Sequence, residues 1–599
     1  MIRVADYIMD RLVYFGVKDI FMITGGGAMH LNDAAGHHLR YICNHHEQAS
    51  SIAAEGYARV SGKPAVVLVT TGPGGLNTLT GVMGQWTDSI PVLYLSGQVK
   101  FETSIQSCGD IGLRQLGDQE VNIIDVVRPL TKFAASVTDP LEIRRTLEHA
   151  WMTASSGRPG PVWLDIPMNV QSAQVDETTL SGLQFDLSPA FDVDLALSQI
   201  KEFFTLLNNA KRPLIVAGHG LRISGAREVF FKFAESLQIP IVSSFNGFDL
   251  IPSLHPLFVG RIGTIGDRAG NFALQNSDLI LFLGTRNNIR QISYGWKCFG
   301  RAAKKIVVDI DAAELRKPTV SIDLKVHADV KFFLENLCKQ RLESRQEWGD
   351  WHAWCHERRK RYPVVLPEES YPSKPVHPYL FARTLSEELP DDSVVVTSNA
   401  TANIVYFQGA MVKERQRVIW NSGCASMGYD LPAAIGACVA NNGKRVICLA
   451  GDGSIMMNLQ ELATIVYQRL PIVIFVFNNK GYLSIRQTQS NFFGELYGCD
   501  IETGVGFPNI LAVASAFGLA TVRIEQNEGM REAIKSVLET PGPILCELDL
   551  GLIHTIEPKL ASVRKPDGRM ISKPLEDMSP LLGRDEFKKN MIIEPYIED

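Results

Sequence analysis

The sequence predicts an α/β protein built from three doubly wound domains with parallel sheets. Short apolar runs rich in Val, Ile and Leu alternate with amphipathic helical stretches along most of the chain. The chain has 599 residues, too many for one core, and polar or proline-bearing stretches interrupt the alternation. Because alternating strands and helices favour parallel sheets, we expect domains at 1–172, 190–340 and 376–550, followed by a polar tail at 551–599.

Composition and charge exclude several classes of function. The net charge of −6 gives no reason to expect nucleic acid or an anionic membrane as partner. The apolar runs are far shorter than the roughly 20 residues that span a bilayer. Ten cysteines occur without a CxxC pair, and the first residues lack the layout of a signal peptide. We therefore expect reduced thiols and a cytoplasmic protein.

The first domain carries two glycine-rich loops and one notable acid. The loops are TGGGAMH at 24–30 and TGPGGLN at 71–77, and their glycines let the backbone approach a ligand or a neighbouring subunit. The first loop lacks the lysine of a P-loop and the spacing of a dinucleotide fingerprint, so a plain turn is the alternative. Glu47 follows a predicted strand and precedes a helix at 48–60. Alone, it would be interpreted as a surface acid.

The second domain contains four predicted parallel strands. They lie in the segments KRPLIVAGHG, IPIVSSFNG, SDLILFLGTR and KKIVVDID, whose composition and length indicate burial. The charged stretch at 340–375 is interpreted as a surface helix and connector, and its basic run ERRKR as a solvated helix face rather than a nucleic-acid patch.

The third domain places GDG at 451–453 and NN at 478–479 on either side of one strand–helix–strand passage. Carboxyl ends of parallel strands meet at one edge of a sheet, so Asp452 and Asn479 should lie together although 27 residues separate them. A carboxylate, an amide oxygen and a nearby backbone carbonyl suit Mg²⁺ or Ca²⁺ bridging a phosphorylated ligand. Ser454 would cap the following helix. Two unrelated turns are the alternative.

The GDG and NN pair resembles the signature of thiamine diphosphate-dependent enzymes. Over about 1–550 the chain is most similar to the acetolactate synthase large-subunit family, through HEQ, AEGYAR, GPGGLN, QWTDSIPVLYLSGQV, QEVNIIDVVRPLTK, MGYDLPAAIGA and NNKGYLSIRQTQ. The resemblance implies a pyrimidine-binding domain, a central Rossmann-like domain and a diphosphate-binding domain, in that order. It also implies a carboligase that decarboxylates pyruvate and transfers the two-carbon hydroxyethyl unit to a carbonyl acceptor.

The resemblance also implies site residues. Asp452, Asn479 and the backbone oxygen of Gly481 would bind Mg²⁺. Glu47 would face the pyrimidine nitrogen N1′ of thiamine diphosphate, with its pKa raised by desolvation, and Met427 would hold the cofactor in a bent shape. The catalytic set is Glu47, Gln119 and Met427. The cofactor-binding set is Gly25, Gly72, Asn77, Asn399, Thr401, Ala425, Met427, Gly451, Asp452, Gly453, Ser454 and Asn479, of which Asn399 and Thr401 stand where the family carries a glutamine–histidine pair.

Two departures from the family concern the acceptor. Asp118 and Thr488 stand where acetolactate synthases carry phenylalanine and tryptophan. A pocket without these aromatic rings is larger and more polar, so the acceptor is either a second 2-keto acid or a bulkier polar molecule such as a ketosugar. The predicted pocket comprises Asp118, Gln119, Ser484, Ile485 and Thr488. A decarboxylase that releases an aldehyde is the alternative, and a catalytically inactive regulator is disfavoured because Glu47, Asp452 and Asn479 are all present.

The resemblance further implies FAD and an oligomer. Acetolactate synthases bind FAD in the central domain, and Lys132, Arg286 and Arg290 would contact it here. The family's RFDD pattern is replaced by RNNI at 286–289, so a central domain that is empty or that binds another nucleotide is the alternative.

Family active sites lie between subunits, so we expect a homodimer or homotetramer in which Glu47 and Asp452 come from different chains. The tail would close the active site as a lid or pack as a surface extension.

Overall fold

The computed structural model describes residues 1–184, 188–340, 348–552, 554–560, 562–564 and 568–596. It confirms the predicted fold class, since three sheets of six parallel strands follow one another along the chain. Each sheet is covered by helices on both faces, which explains why most strands are buried throughout.

The first sheet has the order β3-β2-β4-β5-β7-β6. Outside it, β1 and β8 form a short antiparallel pair that joins the start of the chain to the end of this domain. The strands are β1 Ile2–Arg3, β2 Asp19–Met22, β3 Arg40–Cys43, β4 Ala65–Val69, β5 Val92–Gln98, β6 Phe133–Ser136, β7 Val162–Pro167 and β8 Gln174–Val175. The helices are α1 Val4–Tyr14, α2 Met29–His38, α3 Glu47–Ser61, α4 Pro73–Leu76, α5 Leu79–Asp88, α6 Ile123–Val127, α7 Ile143–Ser155 and α8 Met168–Ser172.

The second sheet has the order β11-β10-β9-β12-β13-β14. This is the 3-2-1-4-5-6 order of dinucleotide-binding folds, with its switch point between β9 and β12. The strands are β9 Pro213–Ala217, β10 Ile241–Ser243, β11 Phe258–Arg261, β12 Leu279–Leu283, β13 Lys304–Asp309 and β14 Leu324–His327. The helices are α9 Val193–Asn209, α10 Gly220–Ile223, α11 Arg227–Leu237, α12 Arg268–Asn276, α13 Ile289–Ile292, α14 Val330–Lys339 and the connecting helix α15 Gly349–Arg361.

The third sheet, β16-β15-β17-β18-β20-β19, repeats the strand order of the first. The strands are β15 Val394–Thr397, β16 Arg417–Ile419, β17 Val446–Gly451, β18 Ile472–Asn478, β19 Ala520–Ile524 and β20 Ile544–Asp549. The helices are α16 Pro378–Glu388, α17 Ala400–Gly409, α18 Asp430–Ala440, α19 Asp452–Ile455, α20 Glu461–Tyr467, α21 Leu483–Phe492, α22 Ile510–Ala516 and α23 Met530–Glu539.

The helices that follow the second strand of the first and third sheets, α3 and α18, cross in close contact. A Cβ atom added at Gly436 would lie 1.7 Å from the Ala53 carbonyl oxygen, and one added at Gly56 would lie 2.2 Å from the Ala433 carbonyl oxygen. Each helix thus contributes an alanine and, three residues later, a glycine to the crossing. One continuous apolar core spans both domains here, so the crossing sets how the two sheets face each other.

A buried ionic network ties all three domains together. Arg59 donates to Glu55 at 2.9 Å and to Asp88 at 2.8 Å. Asp88 also accepts from the backbone N–H of Gly423 at 3.1 Å and from Arg286 at 3.3 Å. Desolvation raises the pKa of Glu55 to about 7, against the opposing effect of Arg59. Since an unpaired buried charge is costly, these contacts hold the domains in one arrangement.

The tail packs mainly on the second domain. It contains β21 Ser562–Arg564, β22 Met570–Ser572 and α24 Arg584–Lys589. Glu576 accepts from Gln275 at 2.5 Å and from Arg301 at 2.7 Å. Earlier in the tail, the His554 carbonyl accepts from Gln487 of α21 at 3.0 Å, so this part runs past the third domain.

None of the helices in the described part of the chain combines the length and apolar composition needed to cross a membrane.

We predict that Gly436→Ala lowers the free energy of unfolding by at least about 1–3 kcal/mol, since the added methyl group has no room against Ala53. Denaturant unfolding followed by circular dichroism measures the effect. Gly36→Ala is the matched control, because this glycine lies inside α2 with open space around it and should gain helix stability. Equal stability of Gly436→Ala and the wild type would contradict the close crossing.

Candidate active site

The first domain presents three predicted site residues at the carboxyl ends of neighbouring strands. Gly25 follows β2 and lies against the Thr70 side chain. Glu47 follows β3 and opens α3, whose first turn is capped by the His46 ring. Asn77, after β4, donates to the Glu47 carboxylate at 2.9 Å. The structure therefore brings Glu47 and the TGPGGLN loop together, with Glu47 partly exposed at the edge of the sheet.

The loop that carries Asp118 and Gln119 packs on the same glycine-rich segment. Gln119 has a φ of 59°, and a Cβ atom on Gly72 would lie 1.9 Å from its carbonyl oxygen, so only glycine fits at position 72. Both Asp118 and Gln119 are exposed. The loop is organised by buried Glu120, which accepts from the backbone N–H groups of Ile105 and Gly117 at 2.6 and 2.9 Å. Sequence reasoning missed Glu120.

The third domain brings Asp452 and Asn479 together at the ends of β17 and β18. These strands pair in register with Gly451 opposite Phe477, which makes the two site residues neighbours. The Asp452 carboxylate accepts from the backbone N–H groups of Gly453 at 2.8 Å, Asn479 at 3.1 Å and Gly481 at 3.0 Å. Desolvation raises the pKa of Asp452 to about 6, and these backbone donors oppose the rise.

The donor set at this edge fits a hard divalent cation with a phosphorylated ligand. The Asn479 amide lies 2.5 Å from the Gly481 carbonyl oxygen, so the three predicted metal ligands touch one another. In the part of the chain that the structure describes, no group of three or more His, Cys, Asp or Glu side chains could bind a metal. A cation held by one carboxylate and neutral oxygens needs further oxygens from water or phosphate, as Mg²⁺ sites commonly do.

The loop before α18 is held from two sides. Asn399 donates to the Ala425 carbonyl at 3.1 Å, and Ala425 has a left-handed φ of 52°. The Ser454 hydroxyl accepts from the Gly428 N–H at 2.9 Å and donates to Asp430 at 2.6 Å. Met427 lies partly exposed between these anchors. Four predicted cofactor residues, Asn399, Ala425, Met427 and Ser454, therefore form one connected group, whereas Thr401 is buried in α17.

Asn458 connects the first and third domains beside the site. It donates to Gln48, next to Glu47, at 3.2 Å and to the Gly428 carbonyl at 2.8 Å. Neither this contact nor the crossing of α3 and α18 joins Glu47 to Asp452, so the expectation that these two residues come from different subunits stays a prediction. Sequence reasoning missed Asn458, although NLQEL begins only five residues after the last glycine of the GDG turn.

The predicted acceptor residues of the third domain lie on α21. Ile485 is 46% exposed, and the Thr488 hydroxyl donates to the Ser484 carbonyl at 2.9 Å. Arg486 donates to the carbonyls of Asn479 and Lys480 at 3.4 and 3.0 Å. It thereby stabilises the loop after β18, which carries two of the predicted cation ligands. No hydrogen bond between described residues joins α21 to Asp118 or Gln119.

The second domain carries a cavity of about 820 Å³ at the carboxyl ends of β9, β12 and β13. Its lining includes Lys132, His219, Thr285, Arg286, Asp309 and Asp311. Lys132 donates to the carbonyls of Thr153 and Ser156, both at 2.5 Å, and desolvation lowers its pKa to about 8. Arg290 lies outside the lining that the described residues form and covers the Phe245 ring at 5.4 Å. Two of the three predicted flavin contacts therefore reach this cavity.

Comparison with known proteins agrees with this architecture. The N-terminal TPP binding domain of thiamine pyrophosphate enzymes matches residues 2–120, the central domain matches 200–337, and the C-terminal TPP binding domain matches 401–548. The three matches fall on the three sheets in chain order.

Several acetolactate synthases are similar to nearly the whole chain. Acetolactate synthase isozyme 1 large subunit of Escherichia coli (strain K12) is 32% identical over 560 residues, covering 92% of this chain and 95% of that protein. The large subunit of Lactococcus lactis subsp. lactis (strain IL1403) is 32% identical over 91% of this chain and 92% of its own length. Chloroplastic acetolactate synthase 3 of Brassica napus is 32% identical, with 91% and 83% covered. The chain therefore belongs to the thiamine pyrophosphate enzyme family, as a homologue of the acetolactate synthase large subunits.

Proposed function

We propose that the protein is a carboligase, dependent on thiamine diphosphate and Mg²⁺, that decarboxylates pyruvate and transfers the two-carbon hydroxyethyl unit to a carbonyl acceptor. The observation that carries the proposal is the meeting of Asp452, Asn479 and Gly481 at the ends of β17 and β18, together with Glu47 at the carboxyl edge of the first sheet beside the TGPGGLN loop. The names of the acetolactate synthase relatives support pyruvate as the donor.

The proposed roles follow from the contacts. Asp452, Asn479 and the Gly481 carbonyl would hold Mg²⁺ at the diphosphate end of the cofactor, and their mutual contacts support this role. When bound, thiamine diphosphate would supply the electron sink for decarboxylation. Glu47, steadied by Asn77, exchanges a proton with the pyrimidine ring. Met427 supports the cofactor, held in place by its neighbours Ala425 and Gly428.

The remaining predicted cofactor residues have backbone or packing roles in this proposal. Gly25 and Gly72 shape the loops of the first domain, and Gly451 and Gly453 let the backbone approach the diphosphate, with Gly453 lying against the Tyr482 ring. Thr401 supports the turn that carries Asn399 from its buried position in α17.

The acceptor is either a second 2-keto acid or a bulkier polar molecule such as a ketosugar. A polar and open acceptor pocket is supported by the exposure of Asp118, Gln119 and Thr488. The Thr488 hydroxyl is already bonded to Ser484, so this position contributes space rather than a free donor. Ile485 offers the apolar surface beside it.

FAD in the second domain is part of the proposal. The cavity of about 820 Å³ lies where dinucleotides bind in this strand order, and the buried Nδ1 of His219 has no hydrogen-bond partner among the residues that the structure describes. Lys132 and Arg286 line the cavity.

We also propose a homo-oligomer, since Met83 and Trp86 of α5 are 42% and 38% exposed. We further propose a cytoplasmic location, which the absence of a CxxC pair supports.

Glu47→Gln should reduce turnover of pyruvate by a factor on the order of 10²–10⁴, because a proton-transfer group is lost, while thiamine diphosphate still binds. Steady-state kinetics and calorimetric titration measure the two quantities. Glu142→Gln, which changes an exposed acid of the same domain, should keep wild-type activity. Wild-type turnover in Glu47→Gln would refute the proposed mechanism.

Thr488→Trp should lower kcat/KM for a ketosugar acceptor by roughly 10–200-fold, the range expected for filling a pocket, with a smaller effect on pyruvate consumption. Thr488→Val keeps the size of the side chain and should leave both nearly unchanged. Mass spectrometry of products from labelled pyruvate with a panel of acceptors measures the preference. Equal losses with ketosugar and 2-keto acid acceptors would count against the open pocket, and aldehyde as the sole product would indicate a decarboxylase.

The purified protein should be yellow, and denaturation should release FAD, because the cavity of the second domain fits an adenine dinucleotide. Arg286→Leu should lower the flavin content, since this residue lines the cavity. Visible absorbance and chromatography of the released cofactor measure it. A colourless protein that does not bind added FAD would contradict the flavin proposal without affecting the thiamine site.

A further inference from the structure

Glu461, the first residue of α20, is a fully buried carboxylate with neutral partners. Its side chain is 0% exposed, and it forms no ion pair with any residue that the structure describes. It accepts three hydrogen bonds, from the Asn44 amide at 2.8 Å, the His45 backbone N–H at 2.9 Å and the Thr464 hydroxyl at 2.7 Å. Burying an acid without a cation is costly, so its position calls for a physical reason.

Two of the three donors belong to the first domain and stand directly before Glu47. Asn44 and His45 begin the three-residue segment that leads from β3 into α3. Asn44 also accepts from the Ser50 hydroxyl at 3.2 Å, which extends the connection into the first turns of α3. The carboxylate of the third domain thus binds the segment on which Glu47 is mounted.

Asn458, three residues before Glu461, binds the other side of Glu47. Its amide donates to Gln48 at 3.2 Å and to the Gly428 carbonyl at 2.8 Å. The segment from Asn458 to Glu461 therefore binds residues before and after Glu47. Through the Gly428 carbonyl, it also binds the loop that carries Met427.

We infer that Glu461 is a positioning residue for Glu47, acting through Asn44 and His45 across the domain interface. The inference rests on the proposed function, since it assigns Glu461 to the placement of the proton-transfer carboxylate. Both carboxylate oxygens accept bonds from the first domain, whereas an amide at this position would present one oxygen and one donor.

The direct test is Glu461→Gln, which keeps size and shape. The oxygen of the new amide at position 461 can still accept from the His45 N–H. Its NH₂ group, however, would face the NH₂ group of Asn44, so two donors would meet and the bond between positions 44 and 461 would be lost. We expect kcat to fall about 100-fold, the scale on which a small displacement of a catalytic group acts, with little change in the affinity for thiamine diphosphate. In the cofactor-free protein, hydrogen exchange of the backbone amides at 44–48 should accelerate.

A second variant distinguishes positioning from general stability. Glu461→Gln combined with Asn44→Asp exchanges donor and acceptor, so the bond between the two positions is restored and the Ser50 hydroxyl can still donate. We expect kcat to recover at least tenfold over Glu461→Gln, and exchange at 44–48 to slow again. Glu576→Gln is the control for losing a buried carboxylate elsewhere: Glu576 is also buried and bonded to an amide, but it pairs with Arg301 and lies against the second domain, so exchange at 44–48 should stay as in the wild type.

The outcomes separate this inference from the proposed function. Wild-type kcat and unchanged exchange at 44–48 in Glu461→Gln would overturn it. Accelerated exchange throughout the protein, without rescue by Asn44→Asp, would show a purely structural role and overturn it as well. Activity of Glu47→Gln would instead remove the proposed function, whatever Glu461 does.

Discussion

The close crossing of α3 and α18 is the contact on which the rest of the structure depends. Both helices follow the second strand of sheets with the same order, α3 begins at Glu47, and α18 follows the Met427 loop. Because Gly56 and Gly436 let backbone meet backbone, the two helices pack in direct contact and fix how the first and third sheets lie relative to each other. Larger side chains at the crossing would shift α3, which begins at Glu47, relative to the third domain.

Among the residues that the structure describes, no lysine or arginine side chain pairs with the Asp452 or Glu461 carboxylate. Asp452 is surrounded by backbone N–H groups, and Glu461 by an amide, a hydroxyl and one backbone N–H. Arg486 binds backbone carbonyls of Asn479 and Lys480 and pairs with Asp500 rather than with Asp452, and Arg59 and Arg286 pair with Asp88 in a separate network. In the proposed function, Asp452 is therefore available to a divalent ion, and Glu461 orients its neighbours.

The fold and the Asp452–Asn479 pair were predictable because both follow from local rules. Strand and helix periodicity indicates a parallel sheet, and strand ends of such a sheet share an edge. The connection from Asn399 to Ala425 likewise joins two residues that were predicted separately. The bond between Asn44 and Glu461 spans 417 positions, and no spacing rule encodes it. The Ala-x-x-Gly pairs of α3 and α18 are visible in the sequence, but such pairs are common in helices.

The most direct test of the account is a crystal structure with thiamine diphosphate and Mn²⁺ in place of Mg²⁺. The anomalous signal of the metal should lie roughly 2.0–2.3 Å from oxygens of Asp452, Asn479 and Gly481, close to the range for such cations. The Glu47 carboxylate should lie within hydrogen-bond distance of the pyrimidine ring, with Glu461 still bound to Asn44. A metal bound elsewhere, or a cofactor ring without contact to Glu47, would contradict the account.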